Sequence, residues 1–117
     1  MTLINILALV LAASFSLTGT MKILALPPAR QLAADVHYSV PAYRMIGVLE
    51  IAGAAGVITS IFAFPHLGFL AALGLLTLMG AALGTHLRNG DPIGKAAPAV
   101  ILGLLAAGYV IIAYTTK

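Results

Sequence analysis

Four apolar runs, each about long enough to cross a bilayer, follow one another with only short polar interruptions, at residues 2–26, 41–64, 67–87 and 96–114. Inside hydrocarbon every backbone N–H and C=O must be satisfied within the chain, which leaves helices as the element for such runs. The expected fold is therefore all-α, a four-transmembrane-helix bundle. Only 8% of the residues are charged, against about a quarter in soluble domains, and 62% are hydrophobic. Little polar sequence remains for anything else, so residues 1–117 read as one membrane domain whose first partner is the lipid bilayer.

The first run is read as a retained helix and not as a signal peptide. Its start, Met1 to Asn5, has no basic residue, its apolar part is too long, and Lys22 stands where a small cleavage residue belongs. Four spans place the first and third loops on one side of the membrane and the second loop with both termini on the other. Lys22, Arg30, Arg44, Arg88 and Lys95 gather at the first side and only Lys117 at the second. The excess of positive charge orients loops one and three to the cytoplasm of an inner (cell) membrane, with both termini outside. No tryptophan and only four tyrosines are present, so no aromatic belt adds to that assignment. Nothing in this charge pattern suggests nucleic acid as a partner.

Loop one, residues 27–40, is the longest. Pro28 suits the start of a short interfacial helix with Leu32, Ala33 and Val36 on one face and Arg30 and Gln31 on another; an irregular loop is the alternative. Pro41 fits the first turn of the second span. Phe64-Pro65-His66 makes a tight turn that folds spans two and three into a hairpin, with His66 an exposed loop residue. Asn89-Gly90 and Asp91-Pro92 mark the third loop, where Asp91 is also suited to cap a short helical turn. Pro98 requires the fourth helix either to begin just before it or to bend there.

Small residues recur at the four-residue spacing that lets helices approach closely in lipid. Ala8, Ala12 and Ser16 do so in the first span, Ala52 and Gly56 in the second, Gly80 and Gly84 in the third, and Ala99, Gly103 and Ala107 in the fourth. With Gly19, Gly47 and Gly53 beside the charged positions, the glycines 19, 47, 53, 80, 84 and 103 are the expected packing positions. Such faces serve equally within one bundle or in a homo-oligomer.

One of only three acidic residues, Glu50, lies inside the second span, where an ionised group costs about 2.5–3.5 kcal/mol. It sits about 13 Å along the helix from Pro41. Lys22, at a comparable depth from the same side, is the first choice of counter-ion and His86 the second. Phe15, Thr18, Gly19 and Lys22 share one face of the first span; Glu50 shares a face with Ile46, Gly47, Gly53 and Ala54. Arg44, six positions before Glu50, points about a third of a turn away. The candidate polar pocket comprises Glu50, Lys22, Arg44, His86, Arg88, Thr18 and Phe15, in the cytoplasmic leaflet. A pair that only locks two helices together is the competing reading of Lys22 and Glu50. Basic residues at the boundary, Arg44, Arg88 and Lys95, are otherwise expected to set topology.

No cysteine is present, which excludes thiol chemistry and cysteine-ligated metal. His37 and His86 lack the spacing of a metal site, so no metal is expected. No nucleophile and base are paired in the sequence, so no catalytic residue is assigned and an activity of the chain's own is not expected.

Three motifs resemble those of DoxX-like membrane proteins, of the DoxX/DoxD superfamily. Phe15 to Lys22 is similar to FxxxGxxK, Arg44 to Ala54 to RxxGxxExxGA, and Thr85 to Pro92 to THxRxGDP, in the family's order and over nearly the whole chain. The resemblance implies a four-helix membrane bundle and marks Gly19, Lys22, Arg44, Gly47, Glu50, His86, Arg88, Asp91 and Pro92. It also implies a range of roles: subunits linked to thiosulfate:quinone oxidoreduction, accessory proteins of oxidative-stress complexes, and relatives that help assemble or export other proteins. The leading expectation is a non-catalytic accessory or ligand-binding subunit of a quinone-linked redox system. It has no intrinsic cofactor, a quinone or lipid as bound ligand, and a redox protein as partner. The alternatives are a small proton-coupled exporter of lipophilic cations and a membrane scaffold or assembly factor. Against the exporter, Glu50 lies on the second span with a basic neighbour and no tryptophan to recognise a cation.

Overall fold

A computed structural model describes residues 2–115; Met1, Thr116 and Lys117 lie outside the described residues, and with them the one positive charge assigned to the far side. The described residues form five helices and no strand: α1 Leu3–Ile23, α2 Pro27–Asp35, α3 Val40–Phe62, α4 Pro65–Arg88 and α5 Ile93–Thr115. Four of them are long and apolar enough to cross a membrane. At 1.5 Å per residue each is roughly 31–36 Å long, matching a hydrocarbon core of about 30 Å. This is an all-α, four-helix bundle, and the protein is an integral membrane protein.

Local chemistry sets the boundaries. The Thr2 hydroxyl caps α1 by accepting from the Asn5 amide at 3.3 Å, and Ser39 caps α3 by accepting from the Ala42 amide at 3.2 Å. Pro27 and Pro28 occupy the first turn of α2, where their missing N–H groups leave no bond unmade. The last expected span begins earlier than residue 96. α5 starts at Ile93, closed by the Lys95 amide on the Pro92 carbonyl at 2.9 Å, and Pro98 lies within it. Asp91 does not cap this helix; its carboxylate turns back to α4.

Three helix ends close in the same way. After α1, α2 and α4 the chain enters the left-handed region, at Ala25 (φ 51°), His37 (φ 63°) and Gly90 (φ 68°). The next residue's amide then donates to a carbonyl five positions back: Leu26 to Met21, Tyr38 to Ala33 and Asp91 to His86. This is the Schellman arrangement, for which only Gly90 has the usual residue. All three lie at the end of the bundle that carries loops one and three.

Around the bundle α1 packs on α3, α3 on α4, α4 on α5 and α5 on α1, while the backbones of the diagonal pairs stay apart. The core holds Leu11 and Phe15 of α1, Ala54 and Val57 of α3, Leu75 of α4 and Ala106 of α5. α1 and α3 are closest where Gly19 faces Gly47, and Gly53 makes room for Leu75. Two expected packing positions behave otherwise. A side chain on Gly80 or Gly84 would meet nothing within 4 Å, because this edge of α4 faces neither α3 nor α5. Gly103 is buried against Met79 at ordinary contact distance.

Candidate functional site

A cavity of about 230 Å³ opens where the last turns of α1 and α4 meet the first turns of α3 and α5. Because the backbones of opposite helices stay apart, the space between them at this end is left to side chains. α2 contributes Ala29 and Leu32 to its wall and Val36 follows at its end, while α4 contributes Leu78, Ala82 and Thr85 from one face. Most of the lining is apolar, and the polar groups are few and specifically placed.

Among the described residues Glu50 is the only charged side chain in the buried core, and it is inaccessible to solvent. Lys22 donates to Oε1 and Thr18 to Oε2, so both carboxylate oxygens are engaged by α1. The Lys22 ammonium also lies 5.1 Å from the centre of the Tyr43 ring, in cation–π range. Tyr38 meets Tyr43 edge-on, with ring centres 6.3 Å apart. The Thr85 hydroxyl donates to the Ala81 carbonyl, leaving its oxygen to accept from the Tyr38 hydroxyl at 2.9 Å.

On the α4 side, His86 borders the cavity and its Nδ1 lies 2.7 Å from Asp91 Oδ2. The Schellman turn at Gly90 is what folds Asp91 back onto the ring. Asn89 Nδ2 holds the other oxygen at 2.8 Å and reaches the Asp35 carbonyl at the same distance. Hydrogen bonding from His86, with a further contribution from Asn89, draws the Asp91 carboxyl below the ordinary carboxylate range. Asp35 is lowered too, first by the Gln31 amide at 2.8 Å and then by Lys95 at 3.2 Å. Loop one is thus tied to α5 by Asp35–Lys95, to loop three by Asn89–Asp35 and to α4 by Tyr38–Thr85.

Of the residues singled out from the sequence, Glu50, Lys22, Thr18 and His86 line the cavity. Phe15 does not; it is buried one turn deeper in the core. Arg44 and Arg88 are exposed and turned away. At about 100° per residue, Arg44 lies a third of a turn from Glu50, and Arg88 more than half a turn from His86. Sequence reasoning passed over Tyr43, Tyr38, Thr85 and the cavity-facing role of Lys95. A signal existed for Tyr43: with Ile46 and Glu50 it falls at i, i+3 and i+7, one face of α3. His37 is exposed outside the cavity, and among the described residues no three His, Asp or Glu side chains gather to hold a metal ion.

The model of the DoxX-like family matches residues 6–108, which include every element that lines the cavity. Comparisons with curated proteins and with solved structures give no match.

Proposed function

The chain belongs to the DoxX-like family, and we propose that it serves there as a non-catalytic, ligand-binding accessory subunit of a quinone-linked membrane redox system. The cavity is the observation that carries this reading. Pockets that enclose drug-sized molecules run to about 300–1,000 Å³, so 230 Å³ suits a headgroup whose tail runs out along the bundle. Its apolar walls suit a quinone or another lipid, and Lys22, Tyr43 and His86 offer polar contacts. With loops one and three in the cytoplasm of an inner membrane, the site lies in the cytoplasmic leaflet. Without cysteine the chain has no thiol to pass electrons, and in this reading a partner protein carries them.

The exporter reading is weaker on this geometry. A cationic substrate at Glu50 would have to displace Lys22 and Thr18 together, from a carboxylate with no access to solvent.

Mass spectrometry of the protein, gently extracted from native membranes, tests the proposal. An amphipathic small molecule is expected to co-purify with the wild type and to be lost from folded Lys22→Ala and Glu50→Gln. Unchanged ligand and partner content in both variants would remove the cavity from consideration.

A further inference from the structure

Each of the three acidic side chains of this protein is spent on a base that borders the cavity: Glu50 on Lys22, Asp91 on His86 and Asp35 on Lys95. The guanidinium groups of Arg30, Arg44 and Arg88 take no part in its wall. The lining therefore holds polar groups without uncompensated charge. A ligand with a fixed charge would enter this mostly apolar space only by breaking one of these pairs or by carrying its own counter-ion. The first route leaves a desolvated charge unpaired and the second desolvates a further ion pair, and both are more costly than placing a neutral polar group there.

His86 has capacity to spare. Its Nδ1 is engaged by Asp91, whose orientation Asn89 fixes, and among the described residues Nε2 has no partner. With Nδ1–H directed at a carboxylate, Nε2 accepts from a hydroxyl when the ring is neutral and donates to a carbonyl when it is an imidazolium. One atom thus serves either form of an oxygen-bearing headgroup.

We infer that the cavity selects an uncharged headgroup carrying a hydroxyl or carbonyl oxygen, and that His86 Nε2 is the atom that hydrogen-bonds it. This rests on the ligand-binding reading above and specifies the chemistry that reading leaves open. Asp91 is a positioning residue in it, holding the ring from outside the cavity.

The test measures binding to the protein in nanodiscs of four probes sharing a ten-carbon chain: decylhydroquinone, monodecanoylglycerol, decanoate and decyltrimethylammonium. At least one neutral probe is expected to bind about tenfold or more tightly than both ions, and which one it is separates an aromatic ring from a glycerol headgroup. His86→Asn keeps an amide near the Nδ1 position and leaves the Nε2 position empty; His86→Gln does the reverse. Asn should weaken the neutral probe about five- to tenfold, the worth of one hydrogen bond, and Gln by no more than about twofold. Helical circular dichroism confirms that both variants fold. If either ion binds as tightly as the neutral probes, or Asn and Gln lose equally, the inference is overturned while the cavity remains a ligand site. If wild type binds none of the four and the cavity-filling Ala82→Phe retains the wild type's native small-molecule content, the ligand-binding reading fails and this one with it.

Discussion

A Cβ placed on Gly47 would stand 2.7 Å from the carbonyl oxygen of Gly19, and one on Gly19 would stand 2.8 Å from that of Gly47. The two backbones touch through bare glycine on both sides, one turn from Lys22 and Glu50. The close approach and the ion pair are therefore one feature: α1 and α3 must be this near for the Thr18 hydroxyl and the Lys22 ammonium to reach both oxygens of a buried carboxylate.

Gly47→Ala should accordingly destabilise the bundle by about 1–3 kcal/mol, because the obstructing atom is backbone and cannot swing aside. Gly80→Ala and Gly84→Ala, whose added methyl groups meet nothing within 4 Å, should change stability by no more than about 0.5 kcal/mol. Unfolding in mixed micelles measures both. A cost at Gly80 like that at Gly47 would mean that the open edge of α4 is packed against something outside this chain.

Removing either member of the Lys22–Glu50 pair should have unequal consequences. Lys22→Met strands a carboxylate whose side chain is only 1% exposed, at a cost of about 3–5 kcal/mol. Glu50→Gln leaves a lysine whose side chain is already 16% exposed near the end of α1 and can reach the interface. Its cost should be nearer that of lost hydrogen bonds, about 1–3 kcal/mol. Equal losses, read from the same unfolding curves, would contradict this account of where each charge lies.

The four spans were legible because hydropathy and backbone satisfaction leave a chain like this one solution. The Lys22–Glu50 pair was legible because depth and helical spacing act along single helices. What was hidden depended on loop conformation. Nothing in the sequence shows that Ala25 and His37 adopt the left-handed closure usually given to glycine, and this closure sets both ends of α2. The turn at Gly90 carries the proper residue, yet its effect on Asp91 follows from three-dimensional register. The GxxxG of α4 shows that a close approach is possible, without saying that any helix of this chain makes it. Arg44 and Arg88 were placed at the correct depth, but depth alone does not tell which way a side chain faces.

At the opposite end of the bundle, Tyr109 is buried with its hydroxyl 2.7 Å from Ser60 Oγ. The Ser60 hydroxyl also donates to the Val57 carbonyl at 2.6 Å, so the tyrosine is its donor. A Cβ on Gly68 would fall 2.5 Å from both hydroxyl oxygens. Tyr109→Phe should therefore cost about 1 kcal/mol and leave ligand content unchanged, whereas Gly68→Ala should cost more by driving the pair apart. A Tyr109→Phe protein that lost its native ligand would show that the two ends are coupled.

The attachment of α2 should depend on pH through Asp35. Its folded-state pKa lies below the ordinary carboxylate value, because the Gln31 amide and the Lys95 ammonium both favour the anion. A lowered pKa means that the stabilising contribution is complete above the unfolded value of about 3.9 and disappears as pH falls through the folded one. α2 should thus stay fastened to α5 from neutral pH down to about pH 4 and loosen only below it. The protein has no cysteine, so Ala34→Cys on the exposed side of α2 supplies a unique site for a spin label. Label mobility should be low and constant above about pH 4 and should rise below it. In Asp35→Asn the acid step should vanish, since no titrating carboxylate remains at that position. The Asn89 bond to the Asp35 main-chain carbonyl survives that change, so part of the restraint should persist at every pH and be lost on adding Asn89→Ala. A loosening at some other pH, unaffected by Asp35→Asn, would assign the fastening of α2 to a group other than Asp35.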